Sequence, residues 1–213
     1  ELVWVGEDIE IEEADEGRFA VRTPDCEYDT LTIPLLGAHQ RQNAAVAVGL
    51  ADTARRSGFE RITVESVRDG LARVDWRGRI QRVAENPTVI LDGAHNPASV
   101  DVLLNTIDDT SDARPVFVFA VASDKDWRTM LQRIAARTSS IVFTTTGNPR
   151  SVPTGELADA AREMEFTSVA SEDNPSRALA VATEWAGASG LVVAAGSLYL
   201  VGQLLSVFDE DGK

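Results

Sequence analysis

The sequence is short of several kinds of side chain, and each shortage excludes something. A single cysteine, Cys26, in 213 residues excludes an internal disulfide framework and a cysteine-rich zinc site, and fits a reducing compartment. Two histidines, His39 and His95, are too few for a multi-histidine metal centre, so no metal site is expected in this chain. Lysine occurs only as Lys125 and Lys213, the other basic residues being arginine, and the net charge is −14. That balance excludes an electrostatic nucleic-acid surface and docking on anionic lipid. No apolar run approaches the length of a membrane-spanning helix. The start, Glu1-Leu2-Val3-Trp4, has no basic or apolar leader region, and a cytoplasmic location is expected. The first residue is not Met, which points to a portion of a longer chain, expected to be monomeric. Acid-rich, lysine-poor surfaces resemble those of salt-adapted proteins, in which salt screens self-repulsion. Standard catalytic signatures are missing too: there is no G-x-G-x-x-G, no Walker A loop and no G-x-S-x-G elbow.

What is present centres on Val89-Ile90-Leu91-Asp92-Gly93-Ala94-His95-Asn96-Pro97. The apolar triplet predicts a buried strand that Asp92 and Gly93 end. Asn96 is a good N-cap and Pro97 suits the first helical position, so a helix begins there, with Val100, Leu103, Leu104 and Ile107 on its core face. A strand–turn–helix junction is where open α/β sheets bind ligands. Asp92 either accepts hydrogen bonds from ribose hydroxyls or merely shapes the turn; His95 either faces phosphate or carboxylate oxygens or packs locally.

From residue 88 onward, strands and helices alternate. Strands are expected at 116–120, 141–144, 167–170 and 191–195. Trp127, Met130, Leu131 and Ile134 mark one helix, Leu157, Ala158, Ala161 and Met164 a second, Ala178, Val181, Ala182 and Trp185 a third, and 198–207 form the last. This pattern predicts a Rossmann-like, mostly parallel sheet with helices on both faces. Residues 1–33 read as short strands (3–5, 9–11, 19–22 and 28–33) between acidic turns. A helix with a small buried face, Ala44, Ala47, Val48 and Ala51, runs to Arg56, and a second covers 64–74. The boundary falls at residues 72–78, giving units 1–75 and 76–213. Trp76 is expected to pack at that junction, and Trp127 and Tyr199 to sit in the core.

Three more side chains are candidates from their chemistry. The amide of Asn43, one helical turn from His39, can both donate to and accept from a base edge, or can serve as a cap. Arg79 is expected to open the strand before the Asp92 strand, where its guanidinium can fork onto a phosphate or join a surface ion pair. Lys125, in Ser123-Asp124-Lys125-Asp126, can meet an anion or pair with Asp124 or Asp126.

Four motifs in order, Leu36-Gly37-Ala38-His39-Gln40 with Asn43-Ala44, Trp76-Arg77-Gly78-Arg79, Leu91-Asp92-Gly93-Ala94-His95-Asn96-Pro97 and Gly196-Ser197-Leu198-Tyr199-Leu200-Val201-Gly202, resemble those of the folylpolyglutamate synthase/dihydrofolate synthase branch of the Mur ligases. The resemblance spans nearly the whole chain. It implies the end of a central ATPase domain over 1–75 and the Mur ligase C-terminal domain over 76–213. It also implies ATP and Mg²⁺ as cofactors, with the phosphate loop and metal ligands upstream of residue 1, so that this portion alone is expected to be inactive. The substrates implied are L-glutamate and dihydropteroate or a folate. Asn43 would contact adenine, Arg79 the phosphates and Asp92 the ribose. His95 would lie near the terminal phosphate and the incoming glutamate, Ser197 would help hold glutamate, and Lys125 matches the family's D-K-D segment. The alternatives are a Mur-type ligase with another acceptor and a non-catalytic nucleotide-binding module.

Overall fold

β-branched and aromatic residues alternating with charged ones make the first elements. The computed structural model describes residues 3–211, without the side chains of Glu16, Glu210 and Asp211, so Glu1, Leu2, Gly212 and Lys213 lie outside the described residues. The chain divides into two units, Glu1–Trp76 and Arg77–Lys213, each described by itself.

In the first unit, β1 (Glu10–Glu13), β2 (Phe19–Arg22) and β3 (Glu27–Leu31) form an antiparallel sheet in that order. Helices α1 (Ala38–Arg56) and α2 (Val64–Ala72) follow. Phe19, Val21, Tyr28 and Leu31 pack against Ala44, Ala45 and Val48 of α1. On the other face Arg22 pairs with Glu10, Glu12 and Glu27. The expected strand at 3–5 is a single bridge, Val5 to Ile9, because the chain turns back there through Ile9 N–H to Trp4 C=O. Ala47 is exposed, contrary to expectation: the buried row of α1 is Gln40, Ala44, Ala45, Val48 and Asp52. The reason is Asp52. Its carboxylate accepts hydrogen bonds from Thr23 Oγ1 (2.9 Å), Tyr28 Oη (3.2 Å) and Arg55 Nη2 (2.6 Å), which turns the i, i+4 row of the helix toward the sheet.

In the second unit, β4 (Gln81–Glu85) and β5 (Thr88–Leu91) form a hairpin. Then come α3 (Pro97–Thr110), β6 (Val116–Phe119), α4 (Trp127–Ala135), β7 (Ser140–Phe143), α5 (Thr154–Arg162), β8 (Ser168–Ser171), α6 (Pro175–Ala186), β9 (Leu191–Ala195) and α7 (Leu198–Asp211). The sheet order is β4-β5-β9-β6-β7-β8. β5 through β8 are all parallel in that order, with β4 antiparallel at the edge. This is the mostly parallel, doubly covered sheet expected from the alternation. Ile90, Phe117, Phe119, Ile141 and Val193 face α3, α4 and α5. Leu91, Val118, Val142, Val192 and Ala194 face α6 and α7. Because both faces are covered, the strands read as continuous apolar runs. The strand expected to open at Arg79 begins at Gln81, since Ile80 stands at φ 43° and bends the chain just before it. Trp127 is buried as expected; Trp76, in the irregular segment after α2, and Tyr199, in the first turn of α7, are exposed.

Burial alone would push the Asp52 carboxyl up, yet the hydrogen bonds from Arg55, Thr23 and Tyr28 and the Arg55 charge hold it below the usual 3.8. Burial first, then the Asp52 charge, push the Tyr28 hydroxyl up to about 12. Asp52 therefore contributes stability in full above the ordinary carboxylate value and loses it as pH falls below that value. Tyr28 contributes in full below pH 10 and loses it as pH rises from there to about 12. Urea unfolding of the first unit is expected to weaken in both windows. Asp52→Ala should cost about 2–3 kcal/mol at pH 7 by orphaning its donors, and should flatten the acid limb.

Candidate functional site

The topology locates a crevice. Strands β5, β6 and β7 send their connections to the α3–α5 face, whereas β9, lying between β5 and β6, sends α7 to the other face. Loops parting to opposite sides of a parallel sheet leave an opening beyond the strand C-termini, the usual ligand position in such folds.

The turn after β5 is built on Asp92, which is 7% exposed. Its Oδ1 accepts from Ala94 N–H (2.8 Å) and its Oδ2 from Ile80 N–H (2.8 Å). Beside it, Gly93 N–H donates to Gly78 C=O (3.0 Å). These bonds fasten the segment entering β4 to the turn leaving β5. Gly93 lets two side-chain ends come close: a Cβ would stand 2.4 Å from Leu198 Cδ2 and 3.0 Å from Arg79 Nη1, and both would have to shift. The same proximity puts the Arg79 guanidinium against the Asp92–Gly93 turn. His95 Nδ1 lies 2.8 Å from Gly93 C=O. A carbonyl can only accept, so Nδ1 carries the proton and Nε2 is the ring's acceptor. Asn96 and Ser99 close a capping box at the start of α3.

The turn after β9 docks onto the first turn through Gly196 N–H to Ala94 C=O (2.7 Å). Gly196 stands at φ 104°, and a Cβ there would meet Ala120 O at 2.3 Å. Ser197 follows, its Oγ accepting from Tyr199 N–H (3.2 Å) at the start of α7.

A cavity of about 150 Å³ opens at these strand ends, with His95, Lys125, Arg150, Ser197 and Tyr199 in its wall. The Lys125 ammonium sits 3.4 Å from the Asp124 carboxylate, itself 3.9 Å from Arg150. Partial desolvation pushes the Asp124 carboxyl up, but backbone N–H groups and the Lys125 and Arg150 charges hold it below its ordinary value.

Among the sequence-predicted residues, Asp92 and His95 therefore share one turn with Arg79 close beside it, and His95, Lys125 and Ser197 share one cavity. Asn43 belongs to the first unit, where its Nδ2 donates to Gln40 Oε1 (3.1 Å), which continues to His39. Tyr199, 62% exposed, lines the cavity instead of the core. Sequence reading missed the loop after β7, with Asn148 and Arg150; its Gly147-Asn148-Pro149 turn at a strand's end was the available signal. Among the described residues no group of three or more His, Cys, Asp and Glu could hold a metal ion. No helix among them is long and apolar enough to cross a membrane.

Comparison with known proteins gives the same region a relationship. Residues 78–198 match the family model "Mur ligase, glutamate ligase domain". The chain is similar to the dihydrofolate synthase/folylpolyglutamate synthase of Bacillus subtilis, at 30% identity over 88% of this chain and 43% of that protein. It is also similar to the protein of the same name from Mycobacterium tuberculosis, at 36% over 64% of this chain and 28% of that one. A solved structure of Mycobacterium tuberculosis folylpolyglutamate synthase complexed with ADP superposes with a TM-score of 0.82 at 28% identity, covering 96% of this chain and 48% of that chain. The chain thus spans less than half the length of these relatives.

The two backbone bonds to Asp92 carry a structural cost that a ribose contact alone would not. Asp92→Ala should lower the stability of the second unit by about 2–3 kcal/mol, measured by urea unfolding, because it leaves buried N–H groups of Ile80 and Ala94 unpaired. An unchanged midpoint would show that the turn stands without the carboxylate.

Proposed function

The chain belongs to the Mur ligase family, and on that premise we propose that it is the C-terminal portion of an ATP-dependent ligase joining L-glutamate to dihydropteroate or to a folate. Residues 1–75 would be the end of the central ATP-binding domain and 76–213 the glutamate-ligase domain. The observation that carries this reading is the gathering of His95, Lys125 and Ser197 around one cavity beside the Arg79–Asp92 turn. The resemblance of relatives bearing the folate-ligase names, one of them complexed with ADP, supports it.

In the proposed reaction an acceptor carboxylate oxygen attacks the γ-phosphorus of ATP, forming an acyl phosphate and releasing ADP. The glutamate amine then adds to the acyl carbon, and the tetrahedral intermediate expels phosphate as the amide forms. Arg79, a fixed fork of donors, offsets charge on the transferring phosphoryl group. The Asp92 oxygens, besides fastening the turn, face the ribose hydroxyls, and Asn43 the adenine edge. His95 offers Nε2 as acceptor for the proton that the amine loses, with Nδ1–H anchored on Gly93. Ser197 and Lys125 hold the amino acid. Mg²⁺ would supply charge neutralisation from ligands elsewhere in the whole ligase.

The test is an ADP-release and amide-formation assay on the full-length ligase. Repeated turnovers of ADP release should require L-glutamate and dihydropteroate or a folate together, the acceptor alone giving at most one ADP per enzyme. Arg79→Ala should lower kcat/KM about 100-fold, the scale of one lost charge-stabilising donor. Turnover with a different amine but not glutamate would move the chain to another Mur-type activity, and no turnover with any acceptor would leave a nucleotide-binding module.

A further inference from the structure

Gln40 is a glutamine where packing alone would place an apolar side chain. It lies on the buried row of α1 with Ala44, Ala45 and Val48, and is 3% exposed. A buried amide is costly unless its ends are bonded. Both ends are bonded, and to side chains of the same helix. Gln40 Oε1 accepts from Asn43 Nδ2 (3.1 Å), and Gln40 Nε2 lies 2.9 Å from His39 Nε2. An amide nitrogen only donates, so His39 Nε2 is the acceptor of that second bond. The three side chains thus form a relay of one polarity. Asn43, at its outer end, is exposed and stands in the wall of a cavity of about 520 Å³ that Val5, Ile9, Ile11 and Val46 also line. Apolar walls with one amide at the edge suit a flat heteroaromatic ring.

The relay fixes which way the Asn43 amide faces. Its bond to Gln40 uses one N–H of Nδ2 and neither lone pair of Oδ1. Turning that amide over would set Oδ1 against Gln40 Oε1, two acceptors face to face. Turning Gln40 over with it would set Oε1 against the accepting Nε2 of His39. Inversion at Asn43 therefore requires all three side chains to change. An unlocked asparagine serves a donor or an acceptor equally, because a half-turn exchanges its two ends; a locked one does not. The 6-amino group of adenine donates, whereas the 6-oxo group of guanine or hypoxanthine accepts. We propose that Gln40 is a positioning residue that holds the Asn43 carbonyl outward, so that the nucleotide site favours a 6-aminopurine over a 6-oxopurine. Gln40 touches no ligand in this scheme and acts only through Asn43. The inference rests on the proposed facing of Asn43 toward the adenine edge, and adds to it the source of base selectivity.

The test is binding of ADP and of IDP to the full-length protein by titration calorimetry. The two nucleotides differ only in the 6-substituent and the proton on the adjacent ring nitrogen. Wild type should prefer ADP by about tenfold or more. Gln40→Met, similar in shape but unable to bond Asn43, should reduce that preference by about fivefold, the scale of one net hydrogen bond. Gln40→Glu keeps an acceptor toward Asn43 and should hold the preference within about twofold of wild type. His39→Lys, at a half-buried position, offers Gln40 only donors, reverses the relay from its far end, and should lower the preference without touching the buried glutamine. A merely structural role would weaken both nucleotides alike and leave their ratio unmoved. An unchanged ratio in Gln40→Met, or in His39→Lys where Gln40→Met does not fold, overturns the inference, as does a wild type that binds both nucleotides equally or neither. Amide formation from L-glutamate, assayed alongside, separates the two readings. Ligation with an unchanged ratio keeps the ligase reading and sinks this inference, and a ratio that follows Gln40 without ligation does the reverse.

Discussion

Everything at the strand ends depends on the Asp92 carboxylate being bonded to two backbone N–H groups from different segments. Through Ile80 it fixes the turn that carries Arg79, and through Ala94 the turn that carries His95. Ile80 is β-branched and stands at φ 43°, a conformation such residues avoid. A buried acceptor waiting for its N–H, and a side chain that belongs to the core, are what hold it there. Strain of this kind persists where surrounding structure over-determines it. The turn from β9 then leans on the same place through Gly196, so three chain segments converge on one carboxylate and the carbonyl of Ala94.

This arrangement joins the two readings of Asp92 that its sequence context left open. One oxygen accepts from Ile80 and the other from Ala94, and each carboxylate oxygen has a second lone pair. Shaping the turn does not use up the group's capacity to accept. An acid serving both purposes would tie the integrity of the fold to the occupancy of a site, so that a substitution there is felt first as a loss of stability. A kinetic defect in an Asp92 variant is therefore interpretable only beside its unfolding curve.

Much of the fold was legible because the second unit obeys simple periodicities. Apolar strands of four or five residues, Asn96-Pro97 and Asn174-Pro175 at helix starts, and 3.6-residue stripes in between define the alternation without ambiguity. The order of the strands was not legible, since the insertion of β9 between β5 and β6 is set by which faces the crossovers take, not by any local residue. The site was half legible. His95 flanks a sharp turn and could be picked out from it, and Ser197 came from the family resemblance, whereas Arg150 was not singled out at all. The Gly147-Asn148-Pro149 turn marks its loop, but the pairing of that loop with Ser123 and Val121 is a long-range contact that no local residue announces. On α1, the position of Asp52 turned the buried face away from Ala47, because three specific hydrogen bonds outweigh the small difference in burying one alanine or its neighbour.

The charge pattern gives the last step. Most arginines of this chain meet carboxylates at the surface: Arg22 meets three glutamates, Arg77 Nη2 reaches both oxygens of Asp209, and Arg133 of α4 and Arg137 just beyond it pair with Asp101 and Asp108 of α3. Exposed pairs of this sort contribute little stability each and are screened by salt. Their effect is to consume cationic charge across the surface, leaving a protein that repels anions at long range. A dicarboxylate or a nucleotide must therefore be captured by cations grouped tightly enough to dominate at short range. Lys125 and Arg150 at the cavity, and Arg79 at the adjoining turn, are such a grouping. Salt that screens the distant repulsion acts less on contacts formed within a partly enclosed cavity, so an acidic exterior and an anion site are compatible in one chain when the cations are gathered rather than spread.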